Sequence, residues 1–123
     1  MDKYGIPQTV WRQTKDEMRN TLIACARDRQ VLPYGKLVTL VHGIQFEAYD
    51  QRLFDMLGEI SIEENAANRG MLSAVVVHKQ GDMIPGPGFF DLARDLNKDV
   101  TDVDRCWLQE LRQVWRYWSG REE

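Results

Sequence analysis

Two histidines, His42 and His78, are the only imidazole groups in the chain. His42 ends a predicted short helix and His78 ends a predicted strand, so nothing in the sequence brings them together with a carboxylate. A zinc site needs several such side chains at short and regular spacing. We therefore predict no metal site and expect both histidines to serve capping or surface roles.

Three glutamates, Glu59, Glu63 and Glu64, precede the predicted strand that ends just before Lys79. In one nuclease arrangement, an acid lies two residues before a lysine on a strand, where the pair holds a metal ion and polarises water. The residue two before Lys79 is Val77, which cannot ligate a cation. The glutamates are therefore predicted to lie on a solvated helix face.

The serine hydroxyls also lack the sequence context of an activated nucleophile. No serine lies in a Gly-x-Ser-x-Gly elbow, and the glycines after residue 80 do not follow a phosphate-binding pattern. We therefore predict that the protein is not an enzyme and needs no cofactor. A small enzyme with a novel site is kept as an alternative to a binding function. A deep pocket that holds Glu59 or Glu63 near His78 would support this alternative.

The elements that could position a functional surface converge on residues 70–93. A predicted strand at 72–78 is followed by a turn at 80–82 and by a Pro-Gly-Pro-Gly loop at 85–88, after which Phe89 and Phe90 open a helix. The alternating Pro and Gly residues leave this loop few conformations. Two phenylalanines at a helix start usually fill a core, but a rigid loop beside them can also present a preorganised contact surface at low entropic cost.

Apolar periodicity predicts a mostly helical chain with one short hairpin. A return strand at 83–84 would complete the hairpin, because Pro85 cannot donate a further ladder hydrogen bond. The chain is predicted to be a single α+β domain over residues 1–123, mostly helical. It would have a winged-helix-like core of three helices plus a short β-hairpin, with additional C-terminal helices. The predicted helices span residues 9–29, 36–42, 46–57, 61–68, 88–97 and 101–119.

Composition is typical of a globular protein. Of the 123 residues, 43% are hydrophobic and 28% are charged, which are ordinary values for a folded domain. The longest apolar run, residues 71–77, is far too short to cross a bilayer, and no secretory signal is predicted at the N-terminus. Cys25 and Cys106 lie outside any CxxC spacing. We therefore predict reduced thiols and a cytoplasmic, bacterial-type protein without a membrane partner.

Charge is distributed unevenly along the chain, although the net charge is only −3. Residues 1–45 carry seven basic and four acidic side chains, whereas residues 46–123 carry nine basic and fifteen acidic ones. A nucleic-acid binder concentrates positive charge where it meets phosphate, and only the first third of this chain offers such a face. The residues that would contact DNA in this alternative are Arg12, Lys15, Arg19, Lys36, Arg52 and Lys79.

The last predicted helix carries an unusually wide apolar stripe. Core packing is the default interpretation of such a stripe, because a soluble monomer does not leave a large apolar area in water. Its width also allows part of it to be shared between two chains, as in a homodimer formed through the C-terminal helix. The stripe consists of Val103, Trp107, Leu108, Leu111, Val114, Trp115 and Trp118.

The sequence Leu32-Pro33-Tyr34-Gly35, followed by Lys36-Leu37-Val38-Thr39, is similar to the Pro-Tyr-Gly helix entry of the alkylguanine-DNA alkyltransferases and alkyltransferase-like proteins. The segment Ser73-Ala74-Val75-Val76-Val77, followed by Gly81, resembles that family's Pro-Cys-His-Arg-Val-Val segment and its turn. The resemblance covers roughly residues 10–90 and implies a winged-helix architecture.

Several positions depart from this family in ways that bear on activity. The family's reactive cysteine falls at Ser73 and its histidine at Ala74, so alkyl transfer is excluded on chemical grounds. The family's base-supporting arginine would correspond to Arg52. The acids around that position would be repelled by a phosphate backbone, which argues against an inherited DNA-binding face. They are Glu47, Asp50, Asp55 and Glu59.

The leading hypothesis is a non-catalytic interaction module, a small regulatory or adaptor protein that binds a protein partner. The rigid loop, the aromatic helix and the missing catalytic groups support it, and DNA binding by the basic N-terminal third is the alternative. The predicted partner-binding residues are His78, Lys79, Pro85, Pro87, Phe89, Phe90 and Trp115.

Overall fold

The computed structural model describes residues 3–47, 49–79 and 83–120. Within them the chain is α+β and mostly helical, as predicted, and no helix is long and apolar enough to span a membrane. The elements in chain order are α1 (Gln8–Arg27), β1 (Leu32–Pro33), α2 (Tyr34–Leu40), α3 (Gln51–Ala66), a 3-10 segment (Leu72–Val75), β2 (Val76–Val77), α4 (Pro87–Asp95) and α5 (Val103–Ser119).

The 3-10 segment lies at the centre of the core. Helices α1, α3 and α5 all pack against it, and Leu72, Ala74 and Val75 are completely buried. Ser73, in the same segment, reaches Ser61 on α3, and their hydroxyl oxygens are 2.6 Å apart. This central position explains why the run is apolar apart from Ser73.

The predicted strand at 72–78 is therefore largely wrong. Only Val76–Val77 is a strand, and it pairs in parallel with Leu32–Pro33. The predicted turn at 80–82 lies outside the described residues. The predicted return strand at 83–84 is not a strand, although the backbone N–H of His78 donates to the carbonyl of Ile84 at 2.9 Å. A run buried on all sides shows no two-residue alternation, so periodicity could not separate a strand from a tight helical turn.

Helix α3 corrects a second prediction, because the two helices expected at 46–57 and 61–68 are one. It begins after Asp50, whose carboxylate accepts the backbone N–H of Arg52 at 3.0 Å, and it continues through Gly58. A glycine inside a helix costs only about 1 kcal/mol, and the buried side chains on either side of it outweigh that cost. The completely buried residues nearest to Gly58 are Met56 and Ile60.

Helix α5 buries a face that includes most of the predicted stripe, with Trp107, Trp115 and Trp118 partly buried against the core. Val103 and Leu108 are exposed, whereas Cys106 and Glu110 are buried beside Leu111 and Val114. Trp107 and Trp115 lie at the border of the core, where an indole N–H can reach a partner. Trp107 donates to the carbonyl of Ala74 at 2.8 Å and Trp115 to that of Gln30 at 3.1 Å.

Candidate functional site

A groove of about 810 Å³ runs between α3 and the N-terminal end of α4, and we call it the α3–α4 groove. Five aromatic side chains line it. Tyr34 begins α2, Tyr49 precedes α3, Phe54 lies on α3, His78 follows β2, and Phe89 lies on α4. Aromatic lining of this extent is typical of binding sites.

Four of these rings form a continuous wall. The ring of Tyr34 stands edge-on to Phe54, with centroids 5.8 Å apart, and lies 5.2 Å from the ring of His78. His78 in turn stacks with Tyr49 at 6.4 Å and 26°. Tyr34 is buried, whereas Tyr49 is 79% exposed. The wall therefore extends from the core to the solvent-exposed rim.

The Pro-Gly loop is fastened to this wall through Gly86. The backbone N–H of Gly86 donates to the hydroxyl of Tyr34 at 3.0 Å. A Cβ atom at position 86 would lie 3.2 Å from Nε2 of His78, which is closer than most Cβ contacts in proteins. A glycine therefore suits the close approach of this backbone to the His78 ring. Pro87 then occupies the first turn of α4, where its missing N–H leaves no helical hydrogen bond unmade.

Two polar groups in the groove retain hydrogen-bonding capacity. Tyr34 accepts from Gly86, but no described residue accepts its hydroxyl hydrogen, and neither ring nitrogen of His78 has a hydrogen-bond partner in the described part of the chain. Burial raises the pKa of the Tyr34 phenol, against the opposing effect of the Gly86 hydrogen bond. The Tyr34 hydroxyl therefore remains protonated and can donate a hydrogen bond to an occupant of the groove.

Ser73 also reaches the groove, at the position where the resemblance places a reactive cysteine. Its side chain is only 8% exposed, and its hydroxyl lies 2.6 Å from that of Ser61, which also accepts the backbone N–H of Ser73 at 3.0 Å. The hydroxyl is thus paired with another hydroxyl. A serine arranged in this way has no base to activate it.

Glu59 and His78 both line the groove, which is the arrangement that the enzyme alternative requires. Glu59, however, accepts hydrogen bonds from Lys3 at 2.8 Å, Trp11 at 2.9 Å and Lys15 at 3.2 Å. Burial alone would raise the pKa of Glu59, but these three donors together hold it below its ordinary value. A carboxylate stabilised as the anion is a poor proton acceptor, which disfavours acid–base chemistry here.

The predicted partner-binding residues fall into three places. His78, Pro87 and Phe89 line the α3–α4 groove. Pro85 and Phe90 line an adjacent cleft of about 330 Å³, which we call the apolar cleft. Neither lining includes Lys79, which is exposed, or Trp115, which hydrogen-bonds Gln30 and packs beside Arg29.

Three aromatic residues of the groove were missed from the sequence, namely Tyr34, Tyr49 and Phe54. Tyr34 is distant in sequence from the other two, and only the fold brings all three to one wall. The one available signal was the position of Tyr34 directly after Pro33 at a helix entry, since an aromatic side chain there is held by a fixed backbone.

The six residues predicted to contact DNA fall into two sets: three are paired with carboxylates of the chain, and three are exposed. Lys15 pairs with Glu59 at 3.2 Å and Glu63 at 2.7 Å. Arg19 pairs with Glu63 and Glu64, and Arg52 pairs with Asp50 at 2.6 Å. These three cations are neutralised within the chain. Three exposed residues remain for phosphate: Arg12, Lys36 and Lys79.

Thiol and metal chemistry gain no support from the described residues. No group of three His, Cys, Asp or Glu side chains within 3–47, 49–79 and 83–120 could hold a metal ion. Cys25 and Cys106 are free thiols, and burial raises the pKa of Cys25 to about 11. The reactive thiolate form of Cys25 is therefore scarce at neutral pH.

Comparison with protein-family models, curated proteins and solved structures gives no match for this chain. The resemblance to alkyltransferase-like proteins therefore stays a prediction.

Proposed function

We propose that this protein is a non-catalytic binding module that captures a segment of a partner protein in the α3–α4 groove. The observation that carries the proposal is the aromatic wall from Tyr34 to Tyr49, with unused hydrogen-bonding groups along it. An adaptor or regulatory role in the cytoplasm belongs to the same proposal.

The shape of the site favours an extended chain segment as occupant. The α3–α4 groove and the apolar cleft share His78 and Pro87 in their linings, so they adjoin at these residues. The apolar cleft adds Met83 and Val103, which are 44% and 41% exposed. A polypeptide can place one side chain in each cavity while its backbone crosses between them.

The free polar groups suit a peptide backbone. The hydroxyl hydrogen of Tyr34 is available to a carbonyl oxygen, and the imidazole of His78 can donate through one nitrogen and accept through the other. A protein whose groove is already shaped loses little conformational entropy on binding, and the Tyr34–Gly86 hydrogen bond holds this shape.

We also propose that this α+β fold contains a winged-helix-like core. In its support, α1, α2 and α3 precede β2, and the hydrogen bond from His78 to Ile84 closes the segment in which a wing would lie. DNA binding is the less favoured function, because Lys15, Arg19 and Arg52 are in ion pairs. A mobility shift at about 50 mM salt would test it directly.

The groove hypothesis can be tested with a matched pair of variants. Gly88 and Gly35 are both exposed, both are the second residue of a helix, and a Cβ atom at either would meet nothing within 4 Å. Gly88 lines the groove and Gly35 does not. Gly88→Leu should therefore obstruct the groove, and Gly35→Leu should leave it open.

Random peptides displayed on phage would be selected on the immobilised wild-type protein. We expect enriched peptides that bind the wild type and Gly35→Leu equally and bind Gly88→Leu about tenfold more weakly, as loss of one buried side-chain contact would cause. Failure to enrich any peptide, or equal binding to both variants, would contradict the proposed function.

A further inference from the structure

We infer that the captured segment presents an arginine or lysine side chain to the groove, where it lies against the aromatic wall between Asp55 and Asp91. This inference rests on the proposed function and adds the chemistry of the occupant. Charge, aromatic pairing and exposure support it independently.

The described lining of the groove is acidic. Lys3 is its one cation, against the three carboxylates of Asp55, Glu59 and Asp91, which leaves a formal charge of −2 with His78 neutral. Lys3 is paired with Glu59 at 2.8 Å. The surplus negative charge therefore belongs to Asp55 and Asp91.

Neither of these carboxylates is paired with a buried cation among the described residues. Asp55 accepts hydrogen bonds from the hydroxyl of Tyr4 and from Nε2 of Gln51, both neutral donors. Asp91 pairs with Arg94 at 3.6 Å, and both side chains are more than 60% exposed, so this pair contributes little. A cationic occupant would complement both charges, whereas a phosphate would be repelled.

The chain supplies its own cations to aromatic rings elsewhere. Lys3 lies over Trp11, Arg52 over Phe46, and Arg29 over Trp115, at 5.2 to 5.6 Å from the ring centroids. Arg69 lies over both Tyr117 and Trp118 at 5.8 Å.

No described cation lies over the groove rings Tyr34, Tyr49 or Phe54. Tyr49 is 79% exposed, so an incoming side chain can reach it. An aromatic face beside an unneutralised carboxylate attracts a guanidinium or ammonium group more strongly than either feature alone.

The test uses peptides selected on the wild-type protein, dye-labelled for fluorescence polarisation. Each basic residue would be replaced in turn, arginine by citrulline and lysine by norleucine. We expect one replacement to weaken binding to the wild type about tenfold, as loss of a charged contact over an aromatic face would cause. The same replacement should have much less effect on the double variant Asp55→Asn, Asp91→Asn.

Asp95→Asn is the matched control, because Asp95 is exposed on α4 and does not line the groove. Affinity of the basic peptide should also fall with added salt. Selection of peptides without a basic residue, or an unchanged affinity after every replacement, would overturn this inference and leave the proposed function standing. Failure to select any peptide would contradict both this inference and the proposed function.

Discussion

The hydroxyl of Tyr34 accepts the backbone N–H of Gly86 at 3.0 Å, and this contact joins residues 52 positions apart in the chain. It connects the start of α2 to the N-cap residue of α4 and so holds the Pro-Gly loop against the aromatic wall. Because Gly86 is buried, its N–H has no access to water as an alternative acceptor.

Removal of this hydroxyl should destabilise the protein. Tyr34→Phe leaves the N–H of Gly86 buried without an acceptor, and we expect a loss of about 1–3 kcal/mol in the free energy of unfolding. Urea denaturation measures it. Tyr49→Phe is the control, because Tyr49 is exposed, and should change stability by less than about 0.5 kcal/mol. Equal effects of the two substitutions would show that the Tyr34 hydrogen bond contributes nothing.

Glu64 should contribute far more to stability than its neighbour Glu63. Its side chain is 1% exposed and lies between Arg19 and Arg69, whereas that of Glu63 is 45% exposed. Glu64→Gln leaves Arg69 without its carboxylate partner and leaves Arg19 only the exposed carboxylate of Glu63. We expect it to cost about 2–3 kcal/mol, below the full range for buried pairs because both arginines retain access to water. Glu63→Gln should cost less than about 1 kcal/mol, and a comparable loss in both variants would contradict this assignment.

The same region should make the protein sensitive to acid. Burial alone would raise the pKa of Glu64, but the hydrogen bonds and charges of Arg69 and Arg19 together lower it from the ordinary value of 4.5. Stabilisation is therefore complete above that value and is lost as the pH falls through the folded-state pKa. Unfolding free energies measured from pH 7 to pH 3 should fall more steeply for the wild type than for Glu64→Gln. Parallel curves would show that Glu64 does not carry this acid dependence.

Gly43 should be intolerant of any side chain. A Cβ atom there would lie 2.2 Å from Oγ1 of Thr14, which is buried on α1, and the adjacent backbone N–H groups of His42 and Gly43 both donate to Glu17 at 2.9 Å. We expect Gly43→Ala to destabilise the protein by about 1–3 kcal/mol. Gly35→Ala should instead stabilise α2 by up to about 1 kcal/mol. Thermal denaturation distinguishes the two signs, and a stabilising Gly43→Ala would contradict the packing described here.

Gly58 lies inside α3 and, unlike Gly43, should tolerate a side chain. A Cβ atom at this position would have only one near neighbour, Cδ2 of Leu92, at an ordinary distance of 3.9 Å. Gly58→Ala should therefore raise the free energy of unfolding by about 0.5–1 kcal/mol through the helical preference of alanine. Chemical denaturation measures this gain. A loss of stability would show that α3 and α4 pack more closely than this distance implies.

Local sequence patterns predicted the helical character and several helix boundaries. They succeeded where one face of a helix is buried, as in α1, whose buried residues recur at three- and four-residue spacing from Trp11 to Ala26. They failed at Leu72–Val75, since a segment enclosed on all sides has no polar face to reveal its period.

The groove could not be predicted for a different reason. Tyr34 contacts both His78 and Gly86 although it is more than forty residues from either in sequence, and no short motif encodes such a contact. The prediction did identify Pro87 and Phe89 because the loop that carries them is locally constrained. His78 was predicted as well, whereas the other rings of the aromatic wall, Tyr34, Tyr49 and Phe54, come together only through tertiary packing.

Photo-crosslinking from the groove in native host cells tests the central claim most directly. A photoreactive p-benzoylphenylalanine would replace Tyr49 at the rim, or Leu108 on α5 as the exposed control outside the groove. We predict a protein adduct that forms from position 49, is resistant to nuclease and is lost with Gly88→Leu. Adducts that form equally from both positions, or an adduct with nucleic acid alone, would contradict capture of a protein segment in the α3–α4 groove.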